Sequence, residues 1–309
     1  MIRRITCSLV LVAFTLCAAH SLAEDQAKRK SKDEFFDSAG VKIRYQVAGQ
    51  GEPVVLVHGF TASVENQWGL PGILAKLSKD YQVIALDNRG HGKSDKPHDP
   101  KQYGAEMIGD VLRLMDHLKI AKAHVVGYSM GGFMTNYLMV HHPDRLLTAT
   151  LGGAGWRRPG DTRMAIMDQL ADSLEAGKGI SPLIELLTPA DKPKPTEEQL
   201  TAINQMVMLM NDPKALAACV RGMGNTTVTE AELKANKVPT LCLIGSDDPL
   251  KVGVDELAEV MPNLKVEVIE GTDHMTAFRS PEFIDGLCAF LTAHSEKVPA
   301  AAGAGGGGK

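Results

Sequence analysis

Gly127-Tyr128-Ser129-Met130-Gly131 follows directly on the apolar run Ala123-His124-Val125-Val126 and leads into a helix-like stretch that begins at Met130. A serine so placed sits on a sharp strand-to-helix turn that lifts its hydroxyl above a sheet. The flanking glycines admit the strained backbone and the close approach that the turn requires. Glycine and serine are common, and the five-residue pattern alone is weak; its position between strand and helix gives it weight. A free serine hydroxyl is a poor nucleophile. The motif therefore predicts a base to take the serine proton, an acid to orient that base, and donors for a developing oxyanion.

The base is sought on a turn after a late strand, and His274 in Ile269-Glu270-Gly271-Thr272-Asp273-His274 answers to it. It follows the Lys265–Ile269 strand and precedes Pro281, where a helix can begin. An imidazole with a pKa near 6.5 takes and returns a proton near neutral pH. His117, His141 and His142 read as solvated or helix-capping, and His58, just before Gly59, as buried and hydrogen-bonded. For the acid, Gly245-Ser246-Asp247-Asp248-Pro249 offers two adjacent carboxylates at a strand end, whose side chains point apart. Asp248, three residues beyond Gly245 and directly before Pro249, is the candidate, with Asp247 expected to bond the turn backbone. One oxyanion donor is the Met130 N–H at the start of a helix; the other is expected from Phe60, in the His58-Gly59-Phe60-Thr61 loop after Pro53–Val57.

These residues need a scaffold, and the chain spells one out. Short apolar strands at Val41–Val47, Pro53–Val57, Gln82–Leu86, His124–Val126, Leu147–Leu151, Thr240–Ile244 and Lys265–Ile269 alternate with helical patterns near Leu70–Lys79, Ala105–Leu118, Met130–His141, Val254–Met261 and Pro281–His294. This is the pattern of an α/β fold, a mostly parallel sheet flanked by helices, in which ligands bind beyond the carboxyl ends of the strands. The alternation breaks across residues 156–237, where helical segments such as Ala165–Leu174 and Glu197–Met210 surround the turn-rich run Thr188–Thr196. That stretch reads as an inserted helical cap between core segments 24–155 and 238–296. Its methionines, Met164, Met167, Met206, Met208, Met210 and Met223, either pack the cap onto the core or adapt to an apolar ligand. The cap is expected to roof the pocket above Ser129, with Met206–Met210 setting substrate size. Trp156, at its start, has two roles open: lining the substrate pocket, or packing at the hinge.

The ends of the chain carry other information. Basic Arg3-Arg4, the apolar Leu9–Ala19 stretch and small residues around Ser21-Leu22-Ala23 make residues 1–23 a signal peptide, too short in its apolar part for the ~20 residues of a bilayer span. The expected localisation is secreted or periplasmic, with a retained anchor the weaker reading; residues 297–309 lie in an Ala/Gly-rich tail with nothing to bury. A net charge of −4 with no basic block beyond Lys28–Lys32 argues against nucleic acid as a partner. Cys219, Cys242 and Cys288 remain after the signal, with no C-x-x-C spacing, so neither a zinc site nor a disulfide framework is indicated. Asn225-Thr226-Thr227 is a glycosylation sequon, meaningful only in a eukaryotic source.

Taken in order, His58-Gly59-Phe60, Asp87-Asn88-Arg89-Gly90-His91-Gly92-Lys93-Ser94, Gly127 to Gly132, Gly245 to Pro249 and Gly271 to His274 resemble the α/β-hydrolase fold superfamily, specifically its capped serine hydrolases. The resemblance covers roughly residues 35–295. It implies a Ser129-Asp248-His274 triad in the family's chain order, a structural role for Arg89 and His91, and no metal or cofactor. Serine at position 129 separates the chain from the haloalkane dehalogenases and epoxide hydrolases, which the resemblance would require to carry an aspartate there. The expected activity is hydrolysis of small, partly apolar carboxylic esters through an acyl-enzyme. The alternatives are carbon–carbon bond or thioester hydrolysis on the same triad, or a non-catalytic ligand-binding protein of this fold.

Overall fold

Strands buried on both faces must be apolar almost throughout, and Val54–Val57, Val83–Leu86 and Leu241–Ile244 are all fully buried. They lie in interior strands of an eight-stranded sheet in a computed structural model that describes residues 32–161, 165–224 and 226–295. The expected signal peptide with Cys7 and Cys17, the 297–309 tail, Met164 and Asn225 of the sequon lie outside the described residues.

The strands are β1 (Glu34–Ser38), β2 (Val41–Ala48), β3 (Pro53–Val57), β4 (Gln82–Leu86), β5 (Ala123–Tyr128), β6 (Leu146–Gly152), β7 (Thr240–Gly245) and β8 (Leu264–Ile269). Their order is β1-β2-β4-β3-β5-β6-β7-β8, with β1 and β2 antiparallel to their neighbours and the rest parallel. The fold is thus the mostly parallel, helix-flanked sheet that the alternation predicts. The sheet opens one strand earlier than expected. β1 is an exposed edge whose polar EFFDS sequence gives little apolar signal, and it turns into β2 through Ala39 and Gly40, both at positive φ.

The helices are α1 (Ile73–Leu77), α2 (Ala105–His117), α3 (Met130–His141), α4 (Ile166–Glu175), α5 (Ser181–Leu187), α6 (Glu197–Met210), α7 (Pro213–Met223), α8 (Glu230–Ala235), α9 (Lys251–Val260) and α10 (Pro281–His294). Several starts are written in the sequence. Asp212 accepts the Lys214 and Ala215 N–H groups ahead of Pro213, Thr196 and Gln199 form a reciprocal capping box, and Ser280 caps Phe283. The expected Leu70–Lys79 helix is shorter, because a single wide turn at Glu65–Gly69 and Gly72 at φ 84° precede it.

One apolar core lies on each face of the sheet. Between β6 and β7 the described residues form α4 to α8 and no strand. Leu170, Leu174, Ile180, Val207, Leu216 and Val220 give this insertion a small core of its own. Parallel register brings the carboxyl ends together: Val57 is level with Gly127, Gly127 with Leu151, Leu151 with Cys242, and Gly245 with Ile269. The loops that follow β3, β5, β7 and β8 therefore share one edge of the sheet.

Candidate active site

Ser129 leaves the end of β5 at φ 54°, ψ −117°, a conformation that costs a non-glycine residue roughly 1–3 kcal/mol and persists only where its surroundings enforce it. Two hydrogen bonds do so, the Ser129 N–H donating to the Gly152 carbonyl at 2.8 Å and the Phe133 N–H to the Ser129 carbonyl at 3.0 Å. The turn also needs its glycines. A Cβ on Gly131 would stand 2.0 Å from the Val57 carbonyl oxygen, and one on Gly127 would stand 2.0 Å from that of Gly131.

The hydroxyl so presented meets His274, whose Nε2 lies 2.9 Å from Ser129 Oγ. On the other side of the ring, Nδ1 lies 2.8 Å from Asp248 Oδ2. An ionised carboxylate only accepts, so Nδ1 carries the proton and Nε2 presents its lone pair to the serine. Asp248 is buried and held by the Leu250 N–H, which donates to its Oδ1 at 2.9 Å. Tyr128 braces the histidine loop: its hydroxyl donates to the His274 carbonyl at 2.6 Å, and burial keeps the phenol protonated by raising its pKa well above 10. Asp247 points elsewhere. Its carboxylate accepts from Ser246 Oγ at 3.0 Å and pairs with Lys192 of the insertion at 3.3 Å, so it reaches a hydroxyl and a cap lysine and not the turn backbone expected of it.

Two backbone amides belong to residues that line the same cavity. Met130 is the first residue of α3, whose opening N–H groups have no intrahelical acceptor. The Phe60 N–H finds no backbone acceptor among the described residues, and Phe60 and Met130 both line the cavity above Ser129. Thr61 follows at φ 60°, an uncommon state for a β-branched residue, which fixes the direction of this loop.

His58 is buried and accounted for without chemistry. Its Nδ1 donates to the Gly59 carbonyl at 2.7 Å and its Nε2 accepts from the Asn88 N–H at 3.0 Å, which defines a neutral ring. Burial lowers its pKa to about 4. His91, whose ring centroid lies 5.4 Å away, is lowered to about 3, by burial first and by His58 second. Arg89 forks onto Asp110 with two bonds of 2.6 Å. Both Arg89 and His91 are therefore tied into the fold.

The cavity encloses about 630 Å³ of empty space, part of it open to solvent. Its walls come from the core (Phe60, Met130, Phe133), from α5 (Leu183, Leu186, Leu187) and from α7 (Cys219, Val220, Met223). The expected lining by Met206–Met210 is not what the structure shows. On α6, Met206 and Met210 are 56% and 63% exposed on the outer face, and none of the three methionines there reaches the cavity. Trp156 is likewise absent from the lining. It is buried in the core with its indole N–H donating to the Val228 carbonyl at 2.8 Å, so the hinge-packing role is the one it fills. The residues that sequence reasoning missed are Tyr128, the α5 leucines and Arg157. Only Arg157 carried a usable signal, because it follows the carboxyl end of β6, where ligands bind in such sheets.

Comparison with known proteins agrees with this architecture. A family model described as alpha/beta hydrolase fold matches residues 52–178. The dihydrolipoyllysine-residue acetyltransferase component of the acetoin cleaving system of Cupriavidus necator is 31% identical, over 82% of this chain and 67% of that protein. The 3-oxoadipate enol-lactonase 2 of Acinetobacter baylyi is 25% identical, over 78% and 90%. Among solved structures, a thermophilic esterase from Thermogutta terrifontis shares the fold at a TM-score of 0.71 and 22% identity, covering 86% of this chain and all 100% of that one.

Proposed function

Because this chain belongs to the α/β-hydrolase fold family, we propose that it is a serine hydrolase that cleaves small, partly apolar carboxylic esters through an acyl-enzyme. General hydrolase activity is supported by its relatives. The finer reading is carried by one observation, the continuous hydrogen-bonded chain from buried Asp248 through His274 to Ser129.

In this reading Ser129 Oγ attacks the ester carbonyl carbon while His274 Nε2 takes its proton. The Asp248 carboxylate stabilises the imidazolium and holds its tautomer. The carbonyl oxygen becomes an oxyanion held by the Phe60 and Met130 N–H groups, the second at the positive end of α3. Collapse of the tetrahedral intermediate expels the alcohol, which receives its proton from His274. Water, deprotonated by the same imidazole, then attacks the acyl-serine and releases the acid. The apolar walls favour a short hydrocarbon acyl or alcohol group. The basic and apolar leader at residues 1–23 supports export of the enzyme to the periplasm or beyond the cell.

Turnover of ethyl esters from acetate to octanoate, compared between the natural chain and Ser129→Ala, tests the proposal. Hydrolysis of the shorter esters that disappears in the variant is the expected outcome; equal rates in both would remove Ser129 from the chemistry.

A further inference from the structure

The wall of the cavity is apolar with two exceptions, Ser129 and Arg157. The serine has a reaction to perform. Arg157 is half-buried, and a cation in the same apolar chamber needs an explanation, because even partial withdrawal of a guanidinium from water is costly unless an anion compensates it.

No carboxylate among the described residues pairs with Arg157 directly, and Asp161 acts on it only through its charge. One nitrogen of Arg157, Nη2, donates to the Met223 carbonyl at 2.7 Å, the Thr226 carbonyl at 2.9 Å and Thr226 Oγ1 at 3.1 Å. These three oxygens anchor the guanidinium between the loop after β6 and the end of α7. They are neutral, or at most the partial negative charge of a helix terminus. The donors on Nε and Nη1 have no acceptor among the described residues, and no carboxylate among them forms an ion pair with this arginine. Partial desolvation lowers the Arg157 pKa, and the nearby charge of Asp161 opposes that only in part. The neighbouring arginines of the chain are served differently. Arg158 pairs with Glu256 at 3.4 Å, Arg89 forks onto Asp110, and Arg221 bonds both Asp172 and Glu175.

We propose that Arg157 is a specificity-determining residue that receives a second, ionised carboxylate of the substrate, so that the preferred substrates are half-esters of short dicarboxylic acids. The inference rests on the esterase reading above and narrows it. Anchored through Nη2, the guanidinium keeps its Nη1 donors for one oxygen of that carboxylate, a charge-assisted hydrogen bond. The leucines of α5 and the valine and methionine of α7 then enclose the methylene chain that joins this carboxylate to the ester at Ser129. Binding replaces the missing countercharge, and the apolar walls strengthen the resulting pair.

The test compares monoethyl glutarate with ethyl pentanoate, which share a five-carbon acyl chain and differ in the terminal carboxylate. The natural enzyme is expected to favour the half-ester in kcat/KM. In Arg157→Met that preference should fall by about 10–100-fold, the worth of a charge-assisted pair, with the loss carried by KM. Arg157→Lys, which keeps the charge but loses the planar head anchored through Nη2, should fall between the two. If Arg157 served only to tie α7 to the core, its variants would lower both esters by the same factor, and an unchanged ratio would overturn the inference. So would a natural enzyme that prefers ethyl pentanoate. Titration calorimetry with free glutarate supplies a readout that needs no turnover. The natural chain should bind glutarate and not 1,5-pentanediol, and the Arg157→Lys protein should bind it more weakly. Glutarate binding without hydrolysis of either ester would defeat the esterase reading and leave Arg157 as an anion site, whereas ester hydrolysis without glutarate binding would defeat the inference alone.

Discussion

Replacing Asp248 by asparagine separates the two adjacent aspartates by a margin that the geometry sets. Asp248 Oδ2 lies 2.8 Å from His274 Nδ1, in a position where both side chains are buried. When Ser129 gives up its proton, the imidazolium and this carboxylate face each other with charge centres about 4 Å apart, and at an effective dielectric of about 20 their attraction is about 4 kcal/mol. Asparagine removes that attraction. Its amide also donates to Nδ1, which drives the ring proton to Nε2 and turns that nitrogen from acceptor to donor toward Ser129 Oγ. The two effects together come to about 5 kcal/mol, a fall in kcat on the order of 10⁴-fold. Asp247→Asn loses only a bond to Ser246 and an exposed pair with Lys192, and should change kcat by less than about threefold. Steady-state hydrolysis of a short ethyl ester at pH 8, with far-ultraviolet circular dichroism to verify folding, measures both. A larger loss in Asp247→Asn, or an Asp248→Asn enzyme within tenfold of the natural one, would refute the assignment.

Tyr128→Phe removes the donor to the His274 carbonyl, and thermal or denaturant unfolding should register a loss of about 1–3 kcal/mol, with a smaller effect on kcat than any triad variant. Leu183→Trp or Leu187→Trp should shift hydrolysis toward shorter acyl chains in an ethyl ester series, while Met206→Trp on the outer face of α6 should leave the chain-length profile unchanged. His58 and His91 have folded pKa values of about 4 and 3, below the 6.5 of an unperturbed imidazole, so the unfolded chain binds protons first as the pH falls. Their contribution is therefore complete above about pH 6.5 and is lost between there and about pH 4 for His58 and about pH 3 for His91. At roughly 1.4 kcal/mol per pKa unit, His58 alone accounts for about 3 kcal/mol. Nitrogen-15 spectra at pH 5 should still show His58 neutral with its proton on Nδ1, and a protonated His58 in the folded protein would contradict this account.

Much of this site could be read from the chain because the relevant signals are local. The Ser129 turn needs glycine on both sides for reasons confined to five residues, and the strands that carry Phe60, Ser129, Asp248 and His274 to one edge announce themselves as apolar runs. The edge strand Glu34–Ser38 gave no such signal because it alternates with solvent and pairs only with β2. The insertion was harder. Its helices face one another, the core and water at once, so composition does not say which face meets the substrate. Met206–Met210 looked like a pocket wall by residue type, yet Met206 and Met210 are exposed on α6, and the wall is built from Leu183, Leu186 and Leu187 on a seven-residue helix with Pro182 in its first turn. Trp156 shows the same difficulty at a single residue: an indole with a buried carbonyl partner packs, and only the fold reveals that Val228 supplies the partner.

The central claim is that Ser129 is an activated nucleophile, and covalent labelling tests it without presuming a substrate. Incubation with a serine-directed fluorophosphonate, followed by proteolysis and mass spectrometry, should place one phosphonyl adduct on the peptide that contains Ser129. The adduct should form at least about 10³-fold more slowly in His274→Ala, which retains the hydroxyl but lacks its base. Absence of reaction in the natural protein, an adduct on another residue, or labelling of Ser129 at an undiminished rate in His274→Ala would contradict the account.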